Sequence, residues 1–331
     1  MSEHPRILVL GVGSIGERHL RCFQATERCE AAFAEPMEER RRDVAERYSA
    51  TGYASWNEAL EAAQYHAAVI AAPAPYHIPT ATELAQKGLH LLIEKPVSLN
   101  LEGIDELIAL IEEKRLQAAV GFNCRRIPAL AQMREAIVGG RFGKPVQINV
   151  VAGQHFPFYR PAYREIYYTR HDMGGGCIQD CLPHHLNAVE WIVGPTTKIV
   201  ADAQHCLLEG VEVEDSVNLL LRHGDVMGSI TVNQHQPPNE FLITVLCERG
   251  AARFELGKQS WFSAEELGGE WKVEGTSTCE RDDYYIAQAN DFLDQIEKGT
   301  PPLCSLADGV QTLKTVLAIQ KSLRSGRWEQ V

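Results

Sequence analysis

Short, largely apolar runs alternate with amphipathic stretches through the first third of the chain. RILVL at residues 6–10 is the first run, and others follow at 29–34, 66–72, 89–93 and 117–122. Between them, residues 17–25, 79–86 and 101–114 carry apolar side chains at helical spacing. A strand that is apolar on both faces is buried on both faces. Such strands alternating with helices predict a doubly wound parallel sheet. After residue 123 the pattern changes. A helix at 129–138 leads to a run at 146–154, and strand-like runs at 199–205, 216–222, 226–233, 241–247 and 251–256 follow through short turns such as His223-Gly224-Asp225 and Arg249-Gly250. That succession predicts a mainly antiparallel, open sheet. Helices at 284–298 and 306–325 close the chain, free to pack back on the first domain. The expected division is residues 1–123 and 124–331, an α/β domain followed by an α+β domain.

The first turn adds chemistry. Residues 11–16 read Gly-Val-Gly-Ser-Ile-Gly, directly after a strand and before a helix, and the second strand ends at Glu35. Gly11 permits the tight turn, Gly13 lets backbone approach a pyrophosphate, and Gly16 lets helix and strand pack closely. The helix N-terminus offers free N–H groups to phosphates. Glu35 stands where a carboxylate accepts from ribose hydroxyls. This is a Rossmann dinucleotide domain, and the acid favours NAD over NADP. Arg40, Arg41 and Arg42 leave NADP open, since one of them could reach a 2′-phosphate, although they also suit a solvated helix face. Ligands bind at the carboxyl ends of such strands. Those ends carry residues 11–16, Glu35, residues 73–77, residues 94–96 and Asn123.

Composition narrows the partners. The 331 residues carry 44 acidic against 32 basic side chains, a formal net charge of -12, which disfavours nucleic acid or an anionic membrane as main partner. The N-terminus has no leader-like pattern, no apolar run is long enough to span a bilayer, and the nine cysteines lack a disulfide rhythm. A cytoplasmic protein with reduced thiols is expected.

The order GVGSIG, APAPYH, EKP, GFNCRRIP and GGG…D…H resembles the glucose-fructose oxidoreductase, inositol dehydrogenase and rhizopine catabolism (Gfo/Idh/MocA) family over most of the chain. The resemblance implies an NAD(P)-dependent oxidoreductase acting on a sugar, sugar acid or cyclitol. It implies cofactor contacts at Gly11, Gly13, Ser14, Ile15, Gly16, Glu35, Ala72, Pro73, His77, Glu94, Lys95 and Asn123, and a cis Lys95–Pro96 bond. Glu94 would bond near the ribose or orient Lys95. His77 would lie near the nicotinamide ribose or cap the next helix. Dimers or tetramers through the open face of the second sheet are implied as well.

The residues suit the reaction. Oxidising a secondary alcohol needs a base for the hydroxyl proton and a cation to steady the developing alkoxide. Lys95, after a buried strand, suits the second role. The stretch GGGCIQDCLPHHLN from Gly174 places Pro183 where only a helix's first turn tolerates it, so the helix should begin near Asp180 as N-cap. Asp180, His184 and Asn187 would then share one face. Asp180 can fix the tautomer of His184, which becomes the candidate base. Asn187 stands where the family usually has an acid or histidine. The alternative, zinc held by Cys177, Cys181, His184 and His185, is disfavoured because these side chains diverge around a helix and no second cysteine pair stands at zinc spacing, so no metal is expected.

Residues 155–173, HFPFYRPAYREIYYTRHDM, are rich in aromatics and arginine. Arg125 matches a family arginine at the domain crossover and is expected to contact substrate. Two readings of the segment stand: tyrosines such as Tyr163, with Arg160, Arg164 and Arg170, contact an anionic sugar, or the arginines pair with acids in an oligomer-contact arm. Two further functions remain open at this level. One is an isomerase or hydrolase that oxidises its substrate transiently, and the other is a non-catalytic dinucleotide-binding sensor.

Overall fold

The computed structural model describes residues 4–331, so residues 1–3 of the N-terminal stretch read for a leader lie outside it. The chain forms two compact units, residues 1–123 with 280–309, and residues 124–279 with 310–331.

The first unit holds a six-stranded sheet in the order β3-β2-β1-β4-β5-β6. Its strands are β1 (Arg6–Leu10), β2 (Glu30–Ala34), β3 (Gly52–Tyr53), β4 (Ala67–Ile70), β5 (His90–Ile93) and β6 (Ala118–Val120). All neighbours pair parallel, with Val9 opposite Phe33 on one side and Val69 on the other. The apolar runs owe their continuity to helices on both faces, which bury Ile7, Leu8, Val9, Val69 and Ile70 completely. The helix Ser14–Ala25 directs Leu20 and Phe23 into this core. Chain order reverses between β1 and β4, so the carboxyl ends of those strands form the crevice where such sheets bind ligands.

The late helix Arg281–Lys298 also belongs to this unit. Glu280 and Asp283 start it with a reciprocal capping box, and Gly299 ends it at φ 68°. Phe292 meets Phe23 edge to face at 6.3 Å, beside Ala289 and Leu293. Asp282 accepts from both Arg18 and Arg21, and Arg28 reaches Asp294 and Glu297.

The second unit is built on a nine-stranded sheet in the order β14-β13-β12-β11-β7-β10-β9-β8-β15. Its strands are β7 (Pro145–His155), β8 (Lys198–Gln204), β9 (Ser216–His223), β10 (Val226–Asn233), β11 (His235–Cys247), β12 (Gly250–Glu255), β13 (Ser260–Ala264), β14 (Lys272–Thr276) and β15 (Glu329–Gln330). The sheet is mixed, because β7 pairs β10 in parallel while its other edge pairs β11 antiparallel. Hairpin turns fix only sequential neighbours, and β7 finds β10 across a long helical excursion. One face alternates buried Ile148, Val150, Leu219, Ile230 and Ile243. The other leaves Val151, Leu220, Met227 and Leu246 exposed.

Phe292→Ala should empty a fully buried ring from the first core and destabilise the protein by about 3–5 kcal/mol. A urea melt followed by tryptophan fluorescence reads this as a lowered first midpoint, and an unchanged midpoint would remove Phe292 from the core account.

Candidate active site

Functional groups in the first unit gather at the carboxyl ends of its strands. Gly11 turns the chain at φ 78° and donates its N–H to Ala34 O at 2.8 Å. A Cβ on Gly16 would lie 1.8 Å from Gly11 O, so only glycine lets the helix start against the turn, while a Cβ on Gly13 would meet nothing within 4 Å. Open space at Gly13 is what a closely approaching phosphate requires. Ser14 is exposed at the first helical position and Ile15 is half-buried. Glu35 is 3% exposed and accepts from Val12 N at 3.2 Å and Met37 N at 3.1 Å. Each oxygen keeps acceptor capacity beyond one backbone donor, so the turn and the acid fit a dinucleotide's pyrophosphate and ribose. Arg40 approaches Glu35 at 3.5 Å, and Arg41 donates to the Glu35 carbonyl at 2.7 Å. Arg42 lies 4.0 Å from Asp43 on the exposed helix face.

One expectation changes here. His77 does not stand open to a ribose. It is 1% exposed, with Nδ1 2.8 Å from Pro96 O and Nε2 2.7 Å from Ala72 O, tying two ligand-side loops together. Burial pushes its pKa below the ordinary imidazole range, against the two backbone hydrogen bonds. Glu94 is 4% exposed, and His19 and Lys95 N bind its two oxygens at 2.7 and 3.0 Å. Of the two roles read for Glu94, this geometry supports orienting Lys95. Burial favours the protonated form, yet the hydrogen bond and charge of His19, the charge of Lys95 and its N–H outweigh it and hold the carboxyl below its usual range. Lys95 is half-buried and precedes a cis peptide bond to Pro96. Ala72 is half-buried and Pro73 exposed after β4, and Asn123 is half-buried at the start of a tight turn.

In the second unit, the helix Leu182–Val193 begins at Leu182 with Cys181 as its cap, not at Asp180. Asp180 instead ends a separate single turn, Cys177–Asp180. Gly176 enters that turn at φ 87°, where a Cβ would press on the Glu214 carboxylate at 2.6 Å. Glu214 Oε1 accepts from Ile178 N at 2.9 Å, and this carboxylate gives the turn its start. The break is local, since His184 N still bonds to Cys181 O at 3.2 Å. Asp180 accepts a hydrogen bond from Tyr167 Oη at 2.8 Å, and His184 Nδ1 lies 3.9 Å from Cys124 Sγ. Both side chains are half-buried.

Other predicted substrate groups are structural. Asn187 is 1% exposed, accepts from Arg125 Nε at 2.8 Å and donates to Thr312 Oγ1 at 3.1 Å. Arg125, 3% exposed, also lies over the Trp191 ring at 5.6 Å. Tyr163 is 2% exposed, packs on Phe156 in a small core with Tyr168, Leu208, Val211 and Val213, and donates to Glu209 O at 2.6 Å. It is a scaffold residue, not a sugar platform. Arg164 stacks on Tyr163 and donates to Glu209 O at 2.8 Å, and Arg170 forms a two-pronged pair with Asp172 at 3.0 and 2.6 Å. Arg164 also approaches the Glu209 carboxylate at 3.4 Å, and both arginine–acid pairs are exposed.

The sequence reading passed over His19, Tyr167 and Thr312. His19 carried a visible signal, being an imidazole among the apolar positions of the first helix. Tyr167 and Thr312 meet their partners only through tertiary folding. Among the described residues, one group of three potential metal ligands lies within 4.8 Å, namely Cys206, Asp215 and His235. Asp215 there already accepts from Cys206 N, Leu207 N, Leu208 N and Ser216 Oγ, and works as a loop anchor.

Residues 5–122 match an oxidoreductase family with an NAD-binding Rossmann fold, and residues 130–253 match the GFO/IDH/MocA C-terminal domain. The rhizopine catabolism protein MocA of Rhizobium meliloti is 26% identical over 93% of this chain and 92% of its own. Myo-inositol 2-dehydrogenase of Thermotoga maritima is 24% identical over 97% of each chain. In fold, levoglucosan dehydrogenase in complex with NADH and levoglucosan superposes with a TM-score of 0.89, at 20% identity and 99% coverage of both chains.

Tyr163→Phe should lower stability by about 1 kcal/mol through loss of one hydrogen bond, with the fold intact. Thermal denaturation beside a circular dichroism spectrum measures it; a stability equal to wild type would show the hydroxyl contributes nothing.

Proposed function

The chain belongs to the Gfo/Idh/MocA family of NAD-binding oxidoreductases, and from that premise we propose that it moves hydride between NAD and a secondary hydroxyl of a sugar, sugar acid or cyclitol. One observation carries the reading: a single sheet presents both the dinucleotide turn, closed by Gly16 against Gly11 and flanked by buried Glu35, and a lysine after β5. Myo-inositol 2-dehydrogenase, similar over nearly the whole chain, supports a polyol substrate. Acid pairing of Arg164 and Arg170 favours a neutral polyol over an acidic one.

Residues 11–16 and Glu35 would hold the cofactor, with Glu35 accepting from the adenosine ribose. Bound NAD supplies the hydride acceptor. The remaining work falls to side chains. His184 takes the hydroxyl proton, Asp180 steadies the imidazole and is itself held by Tyr167, and the Lys95 ammonium stabilises the charge growing on the substrate oxygen. The exposed sheet face with Val151, Leu220, Met227 and Leu246 is proposed as the contact with a second copy, in a dimer or tetramer. Among the described residues, no helix is long and apolar enough to cross a membrane. An odd number of cysteines without a disulfide rhythm supports a cytoplasmic setting.

Lys95→Ala and His184→Ala should each lower kcat by about 100-fold or more, with NAD affinity retained. A panel of cyclitols, sugars and sugar acids read by NADH absorbance finds the substrate, and fluorescence titration gives NAD affinity. Near-wild-type rates in both variants would refute these roles, and turnover without NADH release would replace net oxidation by transient oxidation. Glu35→Ser should remove repulsion of a 2′-phosphate and leave Arg40 to meet it. The NADP-to-NAD ratio of kcat/KM should then rise by about tenfold or more; an unchanged ratio would show that Glu35 does not select the cofactor.

A further inference from the structure

A buried polar contact in the first unit joins two residues far apart in sequence. His19 sits on the inner face of the helix Ser14–Ala25, 1% exposed, and its Nε2 lies 2.7 Å from Glu94 Oε1. Glu94 directly follows β5, and its other oxygen accepts the N–H of Lys95 at 3.0 Å. The imidazole therefore bonds to the carboxylate that holds the backbone of the reaction's cation.

The surroundings leave this pair little freedom. The Tyr285 ring, on the helix Arg281–Lys298, meets His19 edge on at 5.5 Å, and Phe23 closes another side at 6.5 Å. Gly121 forms the floor beneath Glu94, because a Cβ there would lie 2.7 Å from Glu94 Oε1. Within this unit, the titratable groups acting on Glu94 are His19 and Lys95, and Glu94 in turn acts on His77 and Tyr285. A buried carboxylate must be paired, and a partner that also fixes its rotamer turns the requirement into positioning.

We propose that His19 is a positioning residue for the oxidoreductase reaction: by hydrogen-bonding Glu94 inside the first unit, it fixes the carboxylate against the Lys95 turn and so sets the placement and charge of Lys95. This rests on the role proposed for Lys95 above. His19 touches neither substrate nor reacting atoms in this account. Its influence passes through Glu94 alone, which separates it from a general contribution to the fold.

Four variants test the proposal in the full-length protein, each measured for kcat, KM, NAD affinity, thermal midpoint and the rate at which trinitrobenzenesulfonate labels Lys95, followed by peptide mass spectrometry. His19→Leu removes the donor. Gly121→Ala puts a Cβ 2.7 Å from Glu94 Oε1 and displaces the carboxylate while leaving the His19 donor in place. Both should lower kcat by about tenfold or more, with NAD affinity and KM within about threefold. Lys95 should label about threefold faster in both, because a displaced carboxylate no longer anchors its backbone N–H and the turn loosens around the side chain. His19→Gln keeps an N–H donor near the Nε2 position and should recover most of kcat. The double variant His19→Leu with Glu94→Gln removes the unpaired charge, so it should regain thermal stability without regaining kcat. A double variant that regains both would show a purely structural pair and overturn the proposal. So would Gly121→Ala with wild-type kcat and wild-type Lys95 labelling. If the wild type oxidises no polyol in the panel, the functional reading fails, whereas the labelling rates still decide the role of His19.

Discussion

A carboxylate placed inside a protein must find donors, because an unpaired buried charge is far more expensive than a fold's net stability allows. Glu94 imposes that constraint on the first unit. It follows β5 with four neighbouring demands met at once: a histidine from the first helix, the N–H of Lys95, a residue without a side chain at Gly121, and a late aromatic helix closing over His19. The parallel sheet makes the arrangement possible, since the carboxyl ends of β5 and β6 bring Glu94 beside Gly121. The helix that supplies His19 begins at Ser14, and the missing Cβ of Gly16 lets its first turn lie against the Gly11 carbonyl. The dinucleotide turn and the lysine turn are thus joined by one rigid helix.

The second unit solves the same problem with a longer chain of polar groups. Arg125 donates to Asn187, Asn187 to Thr312, and Thr312 to Glu190, which also accepts from Thr315 at 2.7 Å. Burial pushes the Glu190 carboxyl above its ordinary range despite these bonds. Each link needs a partner from a different part of the sequence, so the network fixes how the helix Leu182–Val193 lies against Arg125 and the last helix. His184 on that helix inherits the order.

Sequence periodicity revealed the parallel strands and most antiparallel ones because each buries a face with a characteristic repeat. β3, β13, β14 and β15 escaped: β3 and β15 are two residues long, β14 is mostly exposed, and β13, though buried, sets only Trp261 and Phe262 between serines. The parallel pairing of β7 with β10 was likewise invisible, as nothing local encodes it. Residue type located the chemistry well where spacing and chain position acted together, as with residues 11–16. It misjudged His77, Tyr163 and Asn187 for one reason. A polar side chain beside a candidate site reads as a ligand contact until its hydrogen-bond partners within the protein are known, here backbone carbonyls for His77 and Tyr163 and the Arg125 and Thr312 side chains for Asn187.

Asn187 shows how that correction changes an apparent anomaly. Set against the family's usual acid or histidine, an amide looks like a lost substrate contact. In this fold, however, residue 187 is buried one helical turn before Glu190, and both meet Thr312. A second carboxylate would add a like charge beside one already penalised by burial. An amide serves both directions without charge, accepting from Arg125 with its oxygen and donating to Thr312 with its nitrogen. An amide at residue 187 is therefore the side chain that suits Glu190 and its threonines.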